Sequence, residues 1–100
     1  MSFFDSFFGL KGYSSYQFLL SREEIDDLVS LSNIPSLTRD EEKIVEKALD
    51  ERRLGDGRIS MAQIDETLRD LENKGKISIN DRESLLKIFD RFSKNKLKKS

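Results

Sequence analysis

Few side chains in this chain of 100 residues could take part in covalent chemistry, because the sequence contains neither cysteine nor histidine. Thiol nucleophiles, disulfides and thiolate metal sites are therefore excluded. The commonest general base and the commonest transition-metal ligand are missing as well. The remaining carboxylates, hydroxyls and amines are accompanied by no Gly-rich phosphate loop. We therefore predict that the protein is not an enzyme and uses no cofactor and no metal.

Carboxylates are concentrated in two clusters, at positions 23–27 and 40–42. Each cluster follows a residue that can cap a helix, Ser21 in one case and Thr38 in the other. The acids therefore fall in the first turn of a helix, where they complement the positive end of the helix dipole. Their position is explained without any catalytic pair.

Residues 55–60 read Gly-Asp-Gly-Arg-Ile-Ser and precede a predicted helix. This run resembles the middle of an EF-hand calcium loop, in which a glycine at the sixth position makes a sharp turn. The alignment puts Gly57 at the sixth position and Ile59 at the eighth, where it packs inward. The first, third, fifth and twelfth positions then hold Arg52, Leu54, Asp56 and Gln63. Because a hard cation needs six or more oxygen ligands, the resemblance implies a helix-loop-helix scaffold without an ion.

Four of the seven phenylalanines lie within the first eight residues, as Phe3, Phe4, Phe7 and Phe8. Their spacing gathers them on one face of a helical turn. They can fold back to complete a core, or they can form an aromatic surface for a partner protein or for self-association. Insertion into a membrane surface is disfavoured, because the segment carries Asp5 among its aromatic residues. We predict that these four phenylalanines are the partner-binding residues.

The chain ends in a basic tail, residues 94–100, which contains four lysines and no acid. Such a tail can contact phosphates, but it also suits the frayed, negative end of a helix. The preceding helix offers Arg82, Lys87 and Arg91 to nucleic acid, but its carboxylates would repel phosphates. A nucleic-acid-associated helical protein that uses the basic tail and this fourth helix is therefore an alternative function. We regard nucleic acid as an unlikely partner.

Four helix starts share one chemistry, in which a Ser or Thr oxygen caps the helix and a side chain three residues later closes back on the cap. This arrangement is a capping box. In the box of Ser78 and Asp81 the closing side chain is the shortest of the four, and Asn80 with Glu83 is an alternative pair for the same helix start. The other three boxes are Ser21 with Glu24, Thr38 with Glu41, and Ser60 with Gln63.

Apolar residues at helical spacing follow each start and form one apolar stripe on each predicted helix. Leu31 is a further candidate for the stripe of the first helix. The four stripes are Ile25, Leu28 and Val29; Ile44, Val45, Ala48 and Leu49; Ile64, Leu68 and Leu71; and Leu85, Leu86, Ile88, Phe89 and Phe92. Pro35 and three glycines, Gly55, Gly57 and Gly75, separate the stripes. The predicted helices span 22–32, 39–53, 61–74 and 80–93.

The sequence thus predicts an all-α fold, a small bundle of about four short antiparallel helices with an aromatic N-terminal segment packed on it. The expected parts are the aromatic segment (residues 1–20), a four-helix domain (residues 21–93) and the basic tail (residues 94–100). Residues 57–60 are echoed by residues 75–78, and a two-strand bridge between Ile59 and Ile77 is one interpretation of this echo.

No stretch reaches the roughly 18 apolar residues of a membrane span, and the first residues lack the pattern of a secretory signal. We therefore expect a cytoplasmic protein. The predicted function is a small non-enzymatic interaction or accessory module that binds a partner protein through its aromatic surface. An ion-free EF-hand-like scaffold is a further alternative.

Overall fold

A computed structural model of the chain describes residues 13–99, with side chains described for residues 13–96. This part of the chain is mostly helical, and its four helices confirm the predicted helical class. A small two-stranded sheet, which the predicted all-α fold did not include, is also present. The elements are β1 (Gln17–Leu19), α1 (Arg22–Ser30), α2 (Arg39–Arg52), β2 (Arg58–Ser60), α3 (Met61–Asn73) and α4 (Ile79–Lys99).

All four predicted capping boxes are present. The Ser21 hydroxyl accepts from the Glu24 N–H at 3.0 Å, and the Glu24 carboxylate accepts from the Ser21 N–H at 2.9 Å. The boxes at Thr38 and Ser60 are equally complete. The box at Ser78 is complete as well. The Ser78 hydroxyl accepts from the Asp81 N–H at 3.1 Å, and the Asp81 carboxylate accepts from the Ser78 N–H at 3.2 Å. The starts of α1 to α3 coincide with the predicted starts, and α4 begins one residue early.

Two of the glycines that separate the helices adopt the left-handed conformation that favours glycine. Gly57 has a φ of 87° and Gly75 a φ of 73°. At Gly75 the chain also closes α3, because the Lys76 N–H donates to the Leu71 carbonyl at 2.8 Å. Asn33, just after α1, has a φ of 55°.

The fourth helix continues to Lys99, beyond its predicted end at residue 93. Residues 94–99, expected as a frayed basic tail, therefore form its last turns. No Gly or Pro interrupts the chain after Gly75. Tertiary contacts also continue, because Ser93 is buried and the Lys96 ammonium lies 3.2 Å from the Glu24 carboxylate.

The strand pairing differs from the predicted bridge between Ile59 and Ile77. In the antiparallel sheet Phe18 is the partner of Ile59, and both side chains are buried. Ile77 is buried too, but it lies in the turn just before α4 and belongs to no strand. Residues 17–19 supply the extended segment instead.

The helices surround one core, to which each contributes its apolar stripe. Contacts join α1 to α2, α2 to α3 and α3 to α4, and α4 closes the ring by contacting both α1 and β1. At this closure the Phe18 and Phe92 rings lie 6.5 Å apart. Leu31 is largely exposed and takes no part in the first stripe. The fully buried apolar residues are Leu20, Ile25, Val29, Val45, Leu49, Ile59, Ile64, Leu68, Leu85 and Phe89.

Candidate functional site

The loop between α2 and α3 has the backbone features that its EF-hand resemblance implies. Gly57, at the sixth position, adopts the left-handed turn. Ile59, at the eighth, lies in β2 with its side chain fully buried. Gln63, at the twelfth, is the third residue of α3, and its amide oxygen accepts from the Ser60 N–H at 2.9 Å. The similarity therefore extends from sequence to local geometry.

The ligand positions of this loop are engaged in other contacts. The Asp56 carboxylate accepts from the Arg58 N–H at 3.2 Å and lies 3.2 Å from the Arg58 guanidinium. Arg52, at the first position, pairs with Glu66. Within residues 13–99 there is no group of three or more acidic side chains that could hold a metal ion. Asp56 and Arg52 thus take part in ion pairs, with Arg58 and with Glu66.

The Arg53 guanidinium lies between the loop that joins α2 to α3 and the segment that follows β1. The Arg53 Nη1 atom donates to the Leu20 carbonyl at 2.9 Å, and Nη2 donates to the Asp50 carboxylate. The Leu20 N–H in turn donates to the Gly57 carbonyl at 3.0 Å. The Arg53 Nε atom is buried and has no hydrogen-bond partner. The guanidinium thus links the end of α2 to the backbone that follows β1.

The predicted partner-binding residues, Phe3, Phe4, Phe7 and Phe8, lie outside the described part of the chain. The described part of the chain begins at Tyr13, and residues 13–19 expose further aromatic and apolar side chains. Tyr13, Tyr16 and Leu19 have relative exposures of 38%, 76% and 58%. The sequence interpretation did not single out Tyr16 and Leu19. The period-2 alternation of a strand, which leaves Leu19 outside while Phe18 is buried, was the available signal.

Tyr13 lies at the seam between α3 and α4. The backbone next to it is fixed there, because the Ala62 N–H donates to the Ser14 carbonyl at 3.0 Å. Burial raises the pKa of the Tyr13 phenol, and the carboxylates of Asp90 on α4 and Asp65 on α3 raise it further. Tyr13 therefore lies near charged side chains of both helices.

The cations proposed for nucleic acid differ in their surroundings. Arg82 is 12% exposed and pairs with Glu72, and Lys94 pairs with Asp90 at 3.1 Å. Lys87 and Arg91 are exposed. Asp81, on the same helix, is buried and accepts from the Ser36 hydroxyl.

A groove of about 620 Å³ lies between α2 and α3. Ile44, Ala48 and Leu71 line its apolar part, and Thr67 contributes a hydroxyl. Charged residues line the remainder: Lys47, Glu51, Arg52, Glu66, Asp70 and Lys74. Two of the ion pairs lie at its edges, Arg52 with Glu66 and Lys74 with Asp70.

A second depression, of about 530 Å³, lies between α1 and α2 and contains the Glu46 carboxylate. Burial raises the pKa of Glu46, and the neighbouring charges of Asp26 and Glu42 act in the same direction. The Ser30 hydroxyl donates to Glu46 at 3.2 Å and opposes this shift. This hydrogen bond joins α1 to α2 across the depression.

No protein family, curated protein or solved structure matches this chain. In residues 13–99 no helix combines the length and the apolar character needed to cross a membrane. Inferences about function therefore depend on the surfaces and contacts of the molecule itself.

Proposed function

We propose that the protein is a small non-enzymatic interaction module that binds a partner protein through an aromatic surface at its N-terminal end. The observation that carries the proposal is the exposure of Tyr16 and Leu19, the described residues that continue the run of phenylalanines. Tyrosine and phenylalanine are enriched in protein interfaces, where a few aromatic anchors supply most of the binding free energy. Phe3, Phe4, Phe7 and Phe8 form the remainder of this surface in the proposal.

The first strand supports this assignment, because its two faces differ in character. Phe18 is buried in the core, whereas Gln17 and Leu19 point outward, and Tyr16 precedes them with 76% of its surface exposed. A large apolar side chain on the outer face of a short edge strand gains little from folding. A function in binding explains why Leu19 and Tyr16 remain there. In this proposal the aromatic segment is packed on an antiparallel helical bundle.

The helical domain serves as the scaffold for this surface. Its loop between α2 and α3 has EF-hand-like geometry, and Arg53 supplies a positive charge between the loops. An ion-free EF-hand-like scaffold is therefore the second candidate description, and the two are compatible. In both, the loops hold β1 in place and the partner binds beside it.

The test is a binding comparison between the wild-type chain and Phe7→Ser, Phe8→Ser and Tyr16→Ser variants. A tagged wild-type chain is used to isolate a partner, and the affinity of that partner is then measured with purified components. We expect each variant to weaken binding at least tenfold while helicity and the melting temperature stay unchanged. Leu31→Ser, which alters an equally exposed leucine elsewhere, is the matched control and should bind normally.

Two outcomes contradict the proposal. If Phe7→Ser or Phe8→Ser unfolds the chain, the rings belong to the core. If the variants bind as tightly as the wild type, the partner uses another surface, and the groove between α2 and α3 becomes the next candidate. Sedimentation of the purified chain distinguishes self-association from binding of a different protein.

A further inference from the structure

The outer edges of the two strands differ in how their backbone groups are paired. On β2, the Arg58 C=O accepts from the Leu54 N–H at 2.9 Å, and the Arg58 N–H donates to the Asp56 carboxylate at 3.2 Å. The Ser60 N–H donates to the Gln63 amide oxygen at 2.9 Å. The loop and the start of α3 therefore close the outer edge of β2.

The outer edge of β1 is open by comparison. The Leu20 N–H donates to the Gly57 carbonyl at 3.0 Å, which continues the ladder beyond the strand. Hydrogen-bonding direction alternates along an antiparallel strand, so the backbone groups of Phe18 face β2 and those of Gln17 and Leu19 face away. Within the described part of the chain, no hydrogen bond reaches these outward N–H and C=O groups. Both residues are exposed, and a strand edge of this kind can accept a further strand.

β1 lacks the features that usually protect an open strand edge, which are charged side chains, proline and bulges. Residues 12–21 contain no charged residue and no proline. The pairing of residues 17–19 with β2 is regular. The strand β2, by contrast, carries the exposed Arg58. The sequence of β1 therefore leaves its edge available for pairing.

The edge of β1 is complementary to the same edge of a second copy. When two copies of β1 pair in antiparallel orientation around a two-fold axis beside Phe18, Gln17 of each copy lies opposite Leu19 of the other. The outward groups then meet, and each of these pairs exchanges two N–H···O bonds. The two Leu19 side chains lie on the outer face as diagonal neighbours, about 7–8 Å apart. Both open edges are thus closed by one contact.

Charge does not oppose this arrangement. Around a two-fold axis each residue lies near its own copy, so a charged strand repels itself. The strand β1 is uncharged. The charges beside it come as ion pairs, Lys96 with Glu24 and Arg53 with Asp50. Two copies can therefore approach each other without bringing like charges together.

A depression of about 440 Å³ beside the strand suits the side chain that a second copy brings there. Its lining includes Leu19, Leu20 and Ser21 at the end of β1, and Lys96 of α4. In the two-fold register, Tyr16 of the second copy lies opposite Leu20 and therefore beside this depression. Tyr16 is 76% exposed in the single chain, and pairing covers it.

We infer that a second copy of this chain binds to the outer edge of β1, so that the two small sheets join into one antiparallel sheet with the β1 strands at its centre. This inference rests on the proposed function and deepens it, since it names the partner that fits beside Tyr16 and Leu19. Tyr16 of each copy occupies the depression of the other.

Sedimentation equilibrium of the full chain over a range of concentrations tests this inference. We expect the average mass of the wild type to rise toward twice that of a single chain. Leu19→Pro removes an outward N–H that takes no part in the ladder with β2, so it should keep the fold and weaken association at least about tenfold. Leu19→Val keeps the N–H and an apolar side chain, and as the matched control it should associate like the wild type. A wild-type chain that stays single at every concentration, or a Leu19→Pro chain that associates like the wild type, overturns the inference.

Amide hydrogen exchange locates the contact. At high protein concentration the N–H groups of Gln17 and Leu19 should exchange at least about tenfold more slowly than at low concentration, because they become bonded to the second copy. The Phe18 N–H, which faces β2, should change much less and is the internal control. Protection of Gln17 and Leu19 already in dilute solution means that the edge is closed within one chain and overturns the inference. Association that leaves both N–H groups unprotected overturns it as well.

Exchanged charges test the register without relying on proline. Chains with Gln17→Lys and chains with Leu19→Glu should each associate more weakly than the wild type, because each change places like charges as diagonal neighbours across the axis. Mixed in equal amounts, the two variants should associate again, because the introduced ammonium lies directly opposite the introduced carboxylate. Failure of the mixture to associate overturns the inference.

The two proposals fail separately. If the wild-type chain stays single while Phe7→Ser and Tyr16→Ser weaken binding of a different protein, the second copy is not the partner and the interaction module remains. If copies pair through β1 while Phe7→Ser and Phe8→Ser alter neither this pairing nor the binding of a different protein, the edge pairing remains and the phenylalanines are not part of the binding surface.

Discussion

The two loops that meet in the small sheet differ in how their backbones are held. The second loop, residues 53–60, closes on itself, because the Leu54 N–H donates to the Arg58 carbonyl at 2.9 Å and the Gly57 N–H donates to the Leu54 carbonyl at 2.8 Å. The first loop, residues 13–21, is held largely from outside. Its Ser14 and Leu20 carbonyls accept from Ala62 and Arg53.

This difference separates two tasks. A loop whose hydrogen bonds are internal can form early and present a fixed strand edge. A loop whose hydrogen bonds come from other segments needs that edge to fold against. The first loop exposes three large side chains, Tyr13, Tyr16 and Leu19, whereas the second exposes one, Leu54. We therefore expect changes in the second loop to cost stability and changes at the surface of the first loop to cost binding.

Replacing the centre of the second strand should have the largest effect. Ile59 is fully buried opposite Phe18, and Ile59→Ala should lower the free energy of unfolding by about 2–5 kcal/mol, through lost burial and the cavity left behind. Ile79→Ala, at an exposed position, is the matched control and should change it by less than about 0.5 kcal/mol. Urea denaturation measures both. Equal effects would show that burial does not distinguish the two sites.

Removing the guanidinium between the loops should have the next largest effect. Arg53→Met keeps an apolar stem but leaves the Leu20 carbonyl without its donor, which should destabilise the fold by about 1–3 kcal/mol. Loss of the buried, unpartnered Nε atom offsets part of this cost. Amide exchange should accelerate first in residues 17–20.

The neighbouring arginine supplies the control for this substitution. Arg52→Met breaks only an exposed pair with Glu66 and should cost about 0–1 kcal/mol. If Arg52→Met lowered the free energy of unfolding more than Arg53→Met, the Arg53 guanidinium would not stabilise the fold by linking the two loops.

The turn of the second loop should tolerate a methyl group poorly. Gly57→Ala places an alanine at a φ of 87°, which should cost about 1–2 kcal/mol. Gly55→Ala meets no atom within 4 Å and is not in the left-handed region, so a gain of about 0.4–1 kcal/mol is expected from reduced freedom of the unfolded chain. Thermal melts of the two variants should shift in opposite directions.

The ion pair at the end of the first loop should give a small, pH-dependent effect. Burial would raise the pKa of Glu24, but the Ser21 N–H and the Lys96 ammonium lower it more strongly, so the net shift is downward from 4.5. The resulting stabilisation is present above pH 4.5 and is lost as the pH falls through the folded-state pKa. Lys96→Gln should cost about 0.2–1 kcal/mol at pH 7.

Denaturation curves of wild type and Lys96→Gln at several pH values measure this effect. The difference between the two proteins should shrink as the pH falls below 4.5. A difference that stays constant down to pH 3 would mean that Lys96 acts through its packing on Phe92, where its ammonium lies 5.4 Å from the ring centroid.

The smallest effect on stability is expected at the surface of the first loop. Tyr16→Ser should change the free energy of unfolding by no more than about 0.5 kcal/mol, because 76% of the side chain is exposed. Partner affinity should nevertheless fall at least about tenfold, or by about 1.4 kcal/mol or more. Calorimetric titration measures the affinity for the partner, and urea denaturation measures the free energy of unfolding. A destabilised variant would place Tyr16 in the fold and not in the interface.

Local chemistry made the helices predictable from the sequence. Each capping box involves residues only three apart, so Ser21 with Glu24 and Ser78 with Asp81 carry their information within one turn. The same holds for Gly57, whose left-handed turn needs no distant partner. These features allowed the helix starts to be placed within a residue.

Contacts between distant residues were not predictable in this way. Both Ile59 and Ile77 precede a helix cap, and only the folded core selects Phe18 as the partner of Ile59. The end of α4 was missed because Lys94 and Lys96 suggest a solvated tail in sequence, whereas in the fold they pair with Asp90 and Glu24. The exposure of Tyr16 likewise depends on which face of a strand the core covers.

The closure of the core by α4 has a consequence for synthesis on the ribosome. Phe18 and Glu24 are synthesised before the ring and the charge that cover them, on Phe92 and Lys96. The Lys96 ammonium and the Glu24 carboxylate are separated by 72 residues of chain. A nascent chain from which α4 has not yet emerged therefore exposes Phe18 and its apolar neighbours. The interval between emergence of β1 and arrival of α4 is the period in which this surface is open to aggregation.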